Sequence, residues 1–306
     1  MGLVEGILLT IITAATPLLF AALGELIAER SGVLNLGVEG MMAVGAVTAF
    51  AAANATGYSI VGVAAGIVGG AAMGALFGVV VLVFATNQNA SGLALTLFGL
   101  GLSGLIGNSY SGVPGLGVKN IHIPFLSDLP LVGRPIFGED PMVYLVVALT
   151  IGVWYFLFRT SGGLVLRSIG DNHASAHALG YRVLRIRFLA VVFGGACAGL
   201  GGAYLSLVYT PQWAQAMTAG RGWIAIALVV FGTWLPWRIA IGAVLFGAVS
   251  ILQLNAQAFG FGIPSQILST LPYLITIVVL VVISRNRALL KVNTPASLGR
   301  TFVPDN

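Results

Sequence analysis

Apolar residues fill this chain in long unbroken runs, without the alternation of a half-buried strand or the single stripe of a soluble helix. Runs of about 18 residues or more can cross a hydrocarbon layer as helices. Nine are read, at about 7–24, 39–56, 59–85, 91–108, 142–158, 188–209, 222–235, 239–258 and 267–284. The seventh is short enough for a half-helix, so the expected count is eight to ten. A β-barrel is excluded, because its strands alternate apolar and polar residues. The pattern predicts an all-α polytopic membrane protein built as a single domain over residues 1–306.

One polar island breaks the pattern. Residues 159–187 hold Arg159, Arg167, Asp171, Arg182, Arg185 and Arg187, with His173 and His177 between them. Basic residues concentrate in the cytoplasmic loops of membrane proteins. Placing the island in the cytoplasm and alternating outward puts Arg30, Arg238, Arg285, Arg287, Lys291 and Arg300 on the same side. Lys119, Arg134 and Arg221 then fall outside, so eleven of the 14 basic residues lie inside. The expected orientation is N-terminus out and C-terminus in. Residues 109–141, rich in Gly and Pro, read as an extracytoplasmic lid or docking loop, and 285–306 as a mobile cytoplasmic tail. Trp213 and Trp223 are expected at the outer interface, and Trp154, Trp234 and Trp237 at the inner one.

Composition sharpens the class. With 8% charged residues and 58% hydrophobic ones, the chain has about a third of the charge of a soluble domain. Its net charge of +5 does not point to nucleic acid, since no dense basic run is interleaved with aromatics. The single cysteine, Cys197, excludes an internal disulfide framework. No basic segment or small-residue cleavage site accompanies the first apolar run, which reads as a retained helix.

Glycines mark the helix contacts. Gly62, Gly66, Gly70, Gly74 and Gly78 recur every four residues, a spacing that lets two backbones approach closely. Gly195, Gly199 and Gly202 repeat the pattern more weakly. Gly99-Leu-Gly101-Leu-Ser-Gly104 spells G-x-G-x-x-G, but it lies inside an apolar run without the strand and acidic residue that a dinucleotide site needs. It reads as a packing seam.

Several chemistries are missing. The two lysines, Lys119 and Lys291, stand in no phosphate-binding glycine loop, and neither H-E-x-x-H nor G-x-S-x-G occurs. No nucleophile–base pair can be placed, so no catalytic residue, cofactor or metal is assigned to this chain. His173 and His177 are four apart, yet only Asp171 is near enough in sequence to join them, below the usual ligand count. No ionisable residue is seen in the centres of the second to ninth runs, which argues against a proton relay. A transport protein without its own energy source then needs an ATPase partner, and the island offers a docking place.

Within the island, Asp171 or Asn172 can cap a short helix over 172–179, and Gly180 suits a left-handed stop. The island is either an ordinary basic loop or a coupling helix that inserts into an ATPase groove; on the second reading Arg167, Asp171, Asn172, His173, His177, Gly180 and Arg182 carry the coupling. Glu25, Glu29, Asn35 and Glu39 gather at the inner end of the first hairpin, as interfacial caps or as an inner gate. Neutral side chains suited to an uncharged ligand with many hydrogen-bonding edges are Asn87, Gln88, Asn89, Ser91, Thr96 and Asn108 around the fourth run, and Gln253, Asn255 and Gln257 on the eighth. Buried amides also join helices to one another.

Arg167-Ser-Ile-Gly170-Asp-Asn172-x-x-x-Ala176-x-x-x-Gly180-Tyr-x-Val183, followed by Gly195-Ala-x-Ala198-Gly199-Leu-x-Gly202, resembles the coupling loop of permeases of ABC importers for branched-chain amino acids and simple sugars. Gly24-Glu25-x-x-x-Glu29-Arg30-Ser31-Gly32-Val33-Leu-Asn35-Leu-Gly37-Val-Glu39-Gly40-Met41-Met42 is similar to the nucleoside (guanosine-type) permeases of that group, as are Asn87-Gln88 through Gly92, Gly220-Arg221-Gly222-Trp-Ile-Ala225, and Ile263-Pro264-Ser265 to Leu271-Pro272-Tyr273. The likeness runs from about Thr16 to Ser284. It departs at His173 and His177, where relatives are expected to have small or acidic residues. The resemblance implies a type II-like importer bundle: a second, homologous permease, a separate ABC ATPase that binds ATP and magnesium, and a periplasmic or lipid-anchored binding protein that delivers a nucleoside. Branched-chain amino acids or sugars are the alternative cargo within the family. A self-contained channel or secondary carrier is the alternative from another class.

Overall fold

The computed structural model describes residues 3–118, 121, 137–258, 267, 270–271, 274–275, 277–278, 281 and 293–303. Those residues form helices α1 (Leu3–Arg30), α2 (Val38–Thr56), α3 (Ser59–Gly78, continued by a π-turn at Val79–Val83), α4 (Gln88–Gly107) and α5 (Pro141–Arg159). They continue with α6 (Ser161–Asp171), α7 (His173–Ala178), α8 (Val183–Tyr204, continued by a π-turn at Leu205–Tyr209), α9 (Arg221–Phe231) and α10 (Pro236–Ala258). Seven of these helices are long and apolar enough to cross a membrane. The seventh apolar run is the 11-residue α9, about 16 Å long and half of a bilayer crossing. The ninth run lies outside the described residues apart from scattered positions. The chain is a multi-pass membrane protein with seven candidate spans and one half-length apolar helix among the described residues.

Side chains at the ends fix where helices begin. The Asp140 carboxylate accepts from the backbone N–H of Met142 (2.8 Å) and Val143 (3.2 Å) ahead of Pro141, which needs no partner. Thr160 caps α6 through Gly163 N–H (3.1 Å), and Asn87 caps α4 through Ala90 N–H (3.0 Å). Each satisfies a donor that the first helical turn leaves free.

The centre is a three-helix crossing of α2, α3 and α8 in which glycine replaces side chains. All five glycines of the stripe are buried. Gly70 lies against the carbonyl of Gly195, Gly74 against that of Val191, and Gly62 against that of Ala49. Gly45 of α2 meets Gly199, and Gly24 of α1 meets Gly194. Without a hydrophobic drive between helices in lipid, this backbone proximity supplies the dispersion that holds them. The G-x-G-x-x-G run is a seam only at Gly99, which packs on Gly40; Gly101 and Gly104 have open space beside them. The seam of α4 is instead Gly92, Gly99 and Gly107, facing Leu36, Gly40 and Trp213.

Two tryptophans are not lipid-interface anchors. Trp213 is 6% exposed and covers Gly107, and Trp234 is 3% exposed, its indole N–H donating to Glu29. A ring folded against a helix or spent on a buried carboxylate cannot also reach the headgroups. Residues 293–303 are likewise not a loose tail. Ser297 N–H donates to Gly170 O (2.8 Å) and Gly299 N–H to Gly32 O (3.1 Å). This strap ties the island to the end of α1, so both lie on one face, here called the island face. The start of α1 lies on the far face.

Candidate functional site

The island folds as two short helices between α5 and α8. Asn172 caps α7 by accepting from Ser175 N–H (3.0 Å), and Gly180 ends it at φ 87° while its N–H donates to His177 O (2.8 Å). The helix covers 173–178 within the expected 172–179. Asp171, Asn172, His177, Gly180 and Arg182 are exposed, and Arg167 is half-buried with its guanidinium 5.1 Å from the Phe158 ring. His173 and His177 both face Phe302 of the strap, with ring centroids 5.0 and 5.4 Å away. Arg187 is fully buried. It donates to Ser31 O (2.9 Å) and Arg300 O (3.3 Å) and meets Nδ1 of His173 (3.3 Å). Burial and the neighbouring Arg187 and Arg300 charges hold His173 below the ordinary histidine range. The histidines are thus the seat of the strap, a role invisible without knowing where residue 302 returns. Among the described residues no three metal-binding side chains gather.

The four residues read as interfacial caps or an inner gate are buried within the bundle. Glu25, Glu29, Asn35 and Glu39 are at most 4% exposed. The chain leaves α1 on the island face and climbs back into the bundle as the non-helical segment 31–37, all buried or half-buried. Glu25 accepts from Asn35 N–H (3.0 Å), Gln88 from Leu34 N–H (2.8 Å), and Thr96 donates to Leu36 O (2.9 Å). Three buried polar atoms around this segment, on Glu25, Glu29 and Gln88, have no hydrogen-bond partner.

Glu39 therefore starts α2 inside the bundle. Helices α2 and α8 run parallel, with Gly45 on Gly199 and Ser206 donating to Ala46 O (2.9 Å). Six residues before Gly45, Glu39 comes level with the stretch around Gly195, halfway along the 27-residue span Val183–Tyr209 and about 12 Å above Arg187. Glu39 is the first residue of the second run, so the expectation that the run centres hold no ionisable residue stands unaltered. Apolar runs mark where hydrophobicity begins, not where the chain enters the bundle.

The carboxylate of Glu39 meets the start of α9. It accepts from Thr218 Oγ1 (2.6 Å), Gly220 N–H (2.8 Å) and Gly222 N–H (2.6 Å). One negative charge thus faces the N-terminal ends of α2 and α9 together, where helix dipoles favour it. Helix α9 then runs toward the island face and ends at Phe231, and three residues on, the carbonyl of Trp234 accepts from Arg30 (2.8 Å). Arg221 begins α9, donates to Met217 O (3.1 Å) and lies 5.0 Å over the ring of Tyr209, the last residue of the α8 continuation.

Between the far end of α8 and the start of α9 the chain descends as Thr210–Gly220, with left-handed turns at Ala216, Ala219 and Gly220. Loop 111–118 covers its upper end, through Gly115 N–H to Pro211 O and Val118 N–H to Leu207 O (both 3.0 Å). Sequence reasoning missed this segment; its signal was Pro211 followed by a polar gap before a run too short to span.

The substrate-path set does not converge. Gln88 and Thr96 brace segment 31–37, Asn87 is a cap, Ser91 pairs with Thr86 (2.8 Å), and Asn89 and Asn108 are exposed at opposite ends of α4. Gln253, Asn255 and Gln257 are half-buried on α10. Helix α4 packs on α2 while α10 packs on α1 and α9, so the two groups lie apart.

Comparison with known proteins turns this geometry into a family. Residues 7–283 match the family described as branched-chain amino acid transport system / permease component. The chain belongs to that family. It is similar to a putative glucose ABC transporter permease, TsgC13, of Haloferax volcanii, 40% identical over 92% of each chain. It is also similar to the nucleoside ABC transporter permease NupC of Lactococcus lactis and the guanosine ABC transporter permease NupQ of Bacillus subtilis. Each is 32% identical over 87% of this chain and 88% of its own. No solved structure matches. The chain is an ABC transporter permease, a transport component and not an enzyme.

At the far face of the permease, Glu139 is buried beside Asp140, whose carboxylate accepts from Tyr204 (3.1 Å). Desolvation, then the Asp140 charge, pushes the Glu139 carboxyl up to about 7. The folded state thus keeps a proton that the unfolded chain releases near pH 4.5, so stability falls as pH rises from about 4.5 to 7. A thermal melt in detergent is expected to show a lower midpoint at pH 8 than at pH 5, and Glu139→Gln to flatten the difference.

Proposed function

We propose that this permease forms half of the membrane path of an ATP-driven importer, with its island face in the cytoplasm and its cargo a nucleoside. The observation that carries the reading is the capped helix α7, presented with exposed Asn172, His177 and Arg182 on a face that also holds Arg30, Arg187 and Arg300. A basic face fits the cytoplasmic side of a plasma membrane, with N-terminus out and C-terminus in. Helix α7 is too short to hold itself in water and is braced by the strap, as a coupling element that transmits force must be. Arg167, Asp171, Asn172, His173, His177, Gly180 and Arg182 make up that element. ATP and magnesium belong to a separate ATPase, a second homologous permease completes the path, and an extracytoplasmic binding protein delivers the cargo.

Nucleoside cargo is supported by the two relatives named for nucleoside and guanosine transport. The 40% identical relative named for glucose favours a sugar as the second reading. The test is reconstitution with an ABC ATPase, a second permease and a binding protein from the same source. ATP-dependent guanosine uptake is expected, with cargo-stimulated ATPase lost when 172–180 is replaced by a Gly-Ser linker. Leucine uptake without guanosine uptake would refute the cargo, and uptake without any ATPase would refute the importer class.

A further inference from the structure

We propose that the descending segment Thr210–Gly220 lines the aqueous path, and that the amides of Gln212 and Gln215 read an uncharged ligand with several hydrogen-bonding edges. The inference rests on the importer reading and deepens it. Non-helical backbone at membrane depth is tolerated only where protein buries it or water bathes it. Among the described residues two such segments stand out, and they differ. Segment 31–37 is enclosed, its groups taken by Glu25, Gln88 and Thr96. In segment 210–220, by contrast, Thr210, Pro211, Gln212, Ala214, Gln215, Ala216 and Ala219 are exposed, while the segment ends at Glu39, level with the middle of α8. Lipid cannot satisfy that backbone, so water does.

Charge defines the ligand. The start of a half-helix would attract an anion, but here Glu39 already occupies it through Thr218, Gly220 and Gly222. The Arg221 guanidinium is spent on Met217 O, Thr218 O and the Tyr209 ring. What remains facing the path is neutral: two carboxamides, each with donors and an acceptor. An amino-acid zwitterion would have to shed water from two charges with no partner for either. A nucleoside or sugar presents the hydroxyls and ring heteroatoms that amides match. Gln212 lies where the segment meets Pro114, at the mouth, and Gln215 lies further toward Glu39.

Cysteine accessibility tests this directly, because native Cys197 is buried and gives little background. Gln215→Cys and Gln212→Cys permeases are assembled with all partners in liposomes. They are then treated with a membrane-impermeant maleimide, with and without excess guanosine, glucose or leucine. Labelling that guanosine or glucose blocks and leucine does not is the expected result. Gln215→Ala is expected to raise the transport KM about three- to tenfold, the loss of one neutral hydrogen bond. No labelling in the assembled transporter would place the segment in a subunit interface and overturn the proposal. Protection by leucine alone, or an unchanged KM, would also overturn it. Failure of ATP dependence with labelling and protection intact would sink the importer reading alone.

Discussion

Glu39→Ala is expected to be the most damaging single substitution in this permease. It would strand the Thr218 hydroxyl and two backbone N–H groups in a site 4% exposed and leave two helix N-terminal ends facing each other uncompensated. Hydrogen bonds to a charged group contribute about 1.5–3 kcal/mol each. Three of them approach the whole stability of a typical domain, about 5–15 kcal/mol. Little monodisperse protein is expected on size-exclusion chromatography in detergent. Glu39→Gln keeps one acceptor oxygen but turns an NH2 toward N–H donors and removes the charge. It is expected to insert, to melt well below the parent and to lose cargo-stimulated ATPase. A Glu39→Ala protein with an unchanged melting midpoint would show that α9 is held by something else.

The second large effect is expected at Gly195. A Cβ there would strike the carbonyl of Gly70 and lie 2.9 Å from Gly74 Cα. Both obstacles are backbone, so no rotamer change relieves them, and the α3–α8 crossing must open. Overpacking of a tight core costs about 1–3 kcal/mol even where side chains can move; here the loss also spreads to Gly199 and Gly66, which share the seam. Gly195→Val is expected to cut the yield of folded permease several-fold. Gly101→Ala is the matched control: it sits in a membrane helix with nothing within 4 Å and is expected to be neutral. Equal yields for the two variants would refute close backbone packing as the basis of the core.

What the sequence revealed and what it hid follow one physical line. Hydrophobic run length reports how much of a helix faces apolar surroundings, so seven spans were legible, as was the shortness of the seventh run. The period-four glycines reported a contact that needs no partner sequence to be read. The capped helix over 173–178 was legible because Asn172 and Gly180 act locally. Depth was not legible. Segments 31–37 and 210–220 look like loops because their residues are polar, small or turn-forming, yet they lie within the bundle. Gln212 and Gln215 were therefore given no role from the sequence. The path candidates on α4 could not be sorted for a related reason: a polar side chain in an apolar run is equally suited to bracing a neighbouring backbone, as Gln88 and Thr96 do. The two histidines could not be understood from their own neighbourhood, since their partner, Phe302, lies more than a hundred residues further on.

The strap also sets an order of assembly. Arg30 donates to Asn293 O across 263 residues, Arg187 to Arg300 O across 113, and Ser297 to Asp171 O across 126. All three partners on the strap lie at residue 293 or beyond, after the seven candidate spans in the chain, so the brace of the island is the last of these elements to be made. The island face of this permease is thus finished only after the spans that precede it, and a chain cut short before residue 293 is expected to keep its spans but lose the brace.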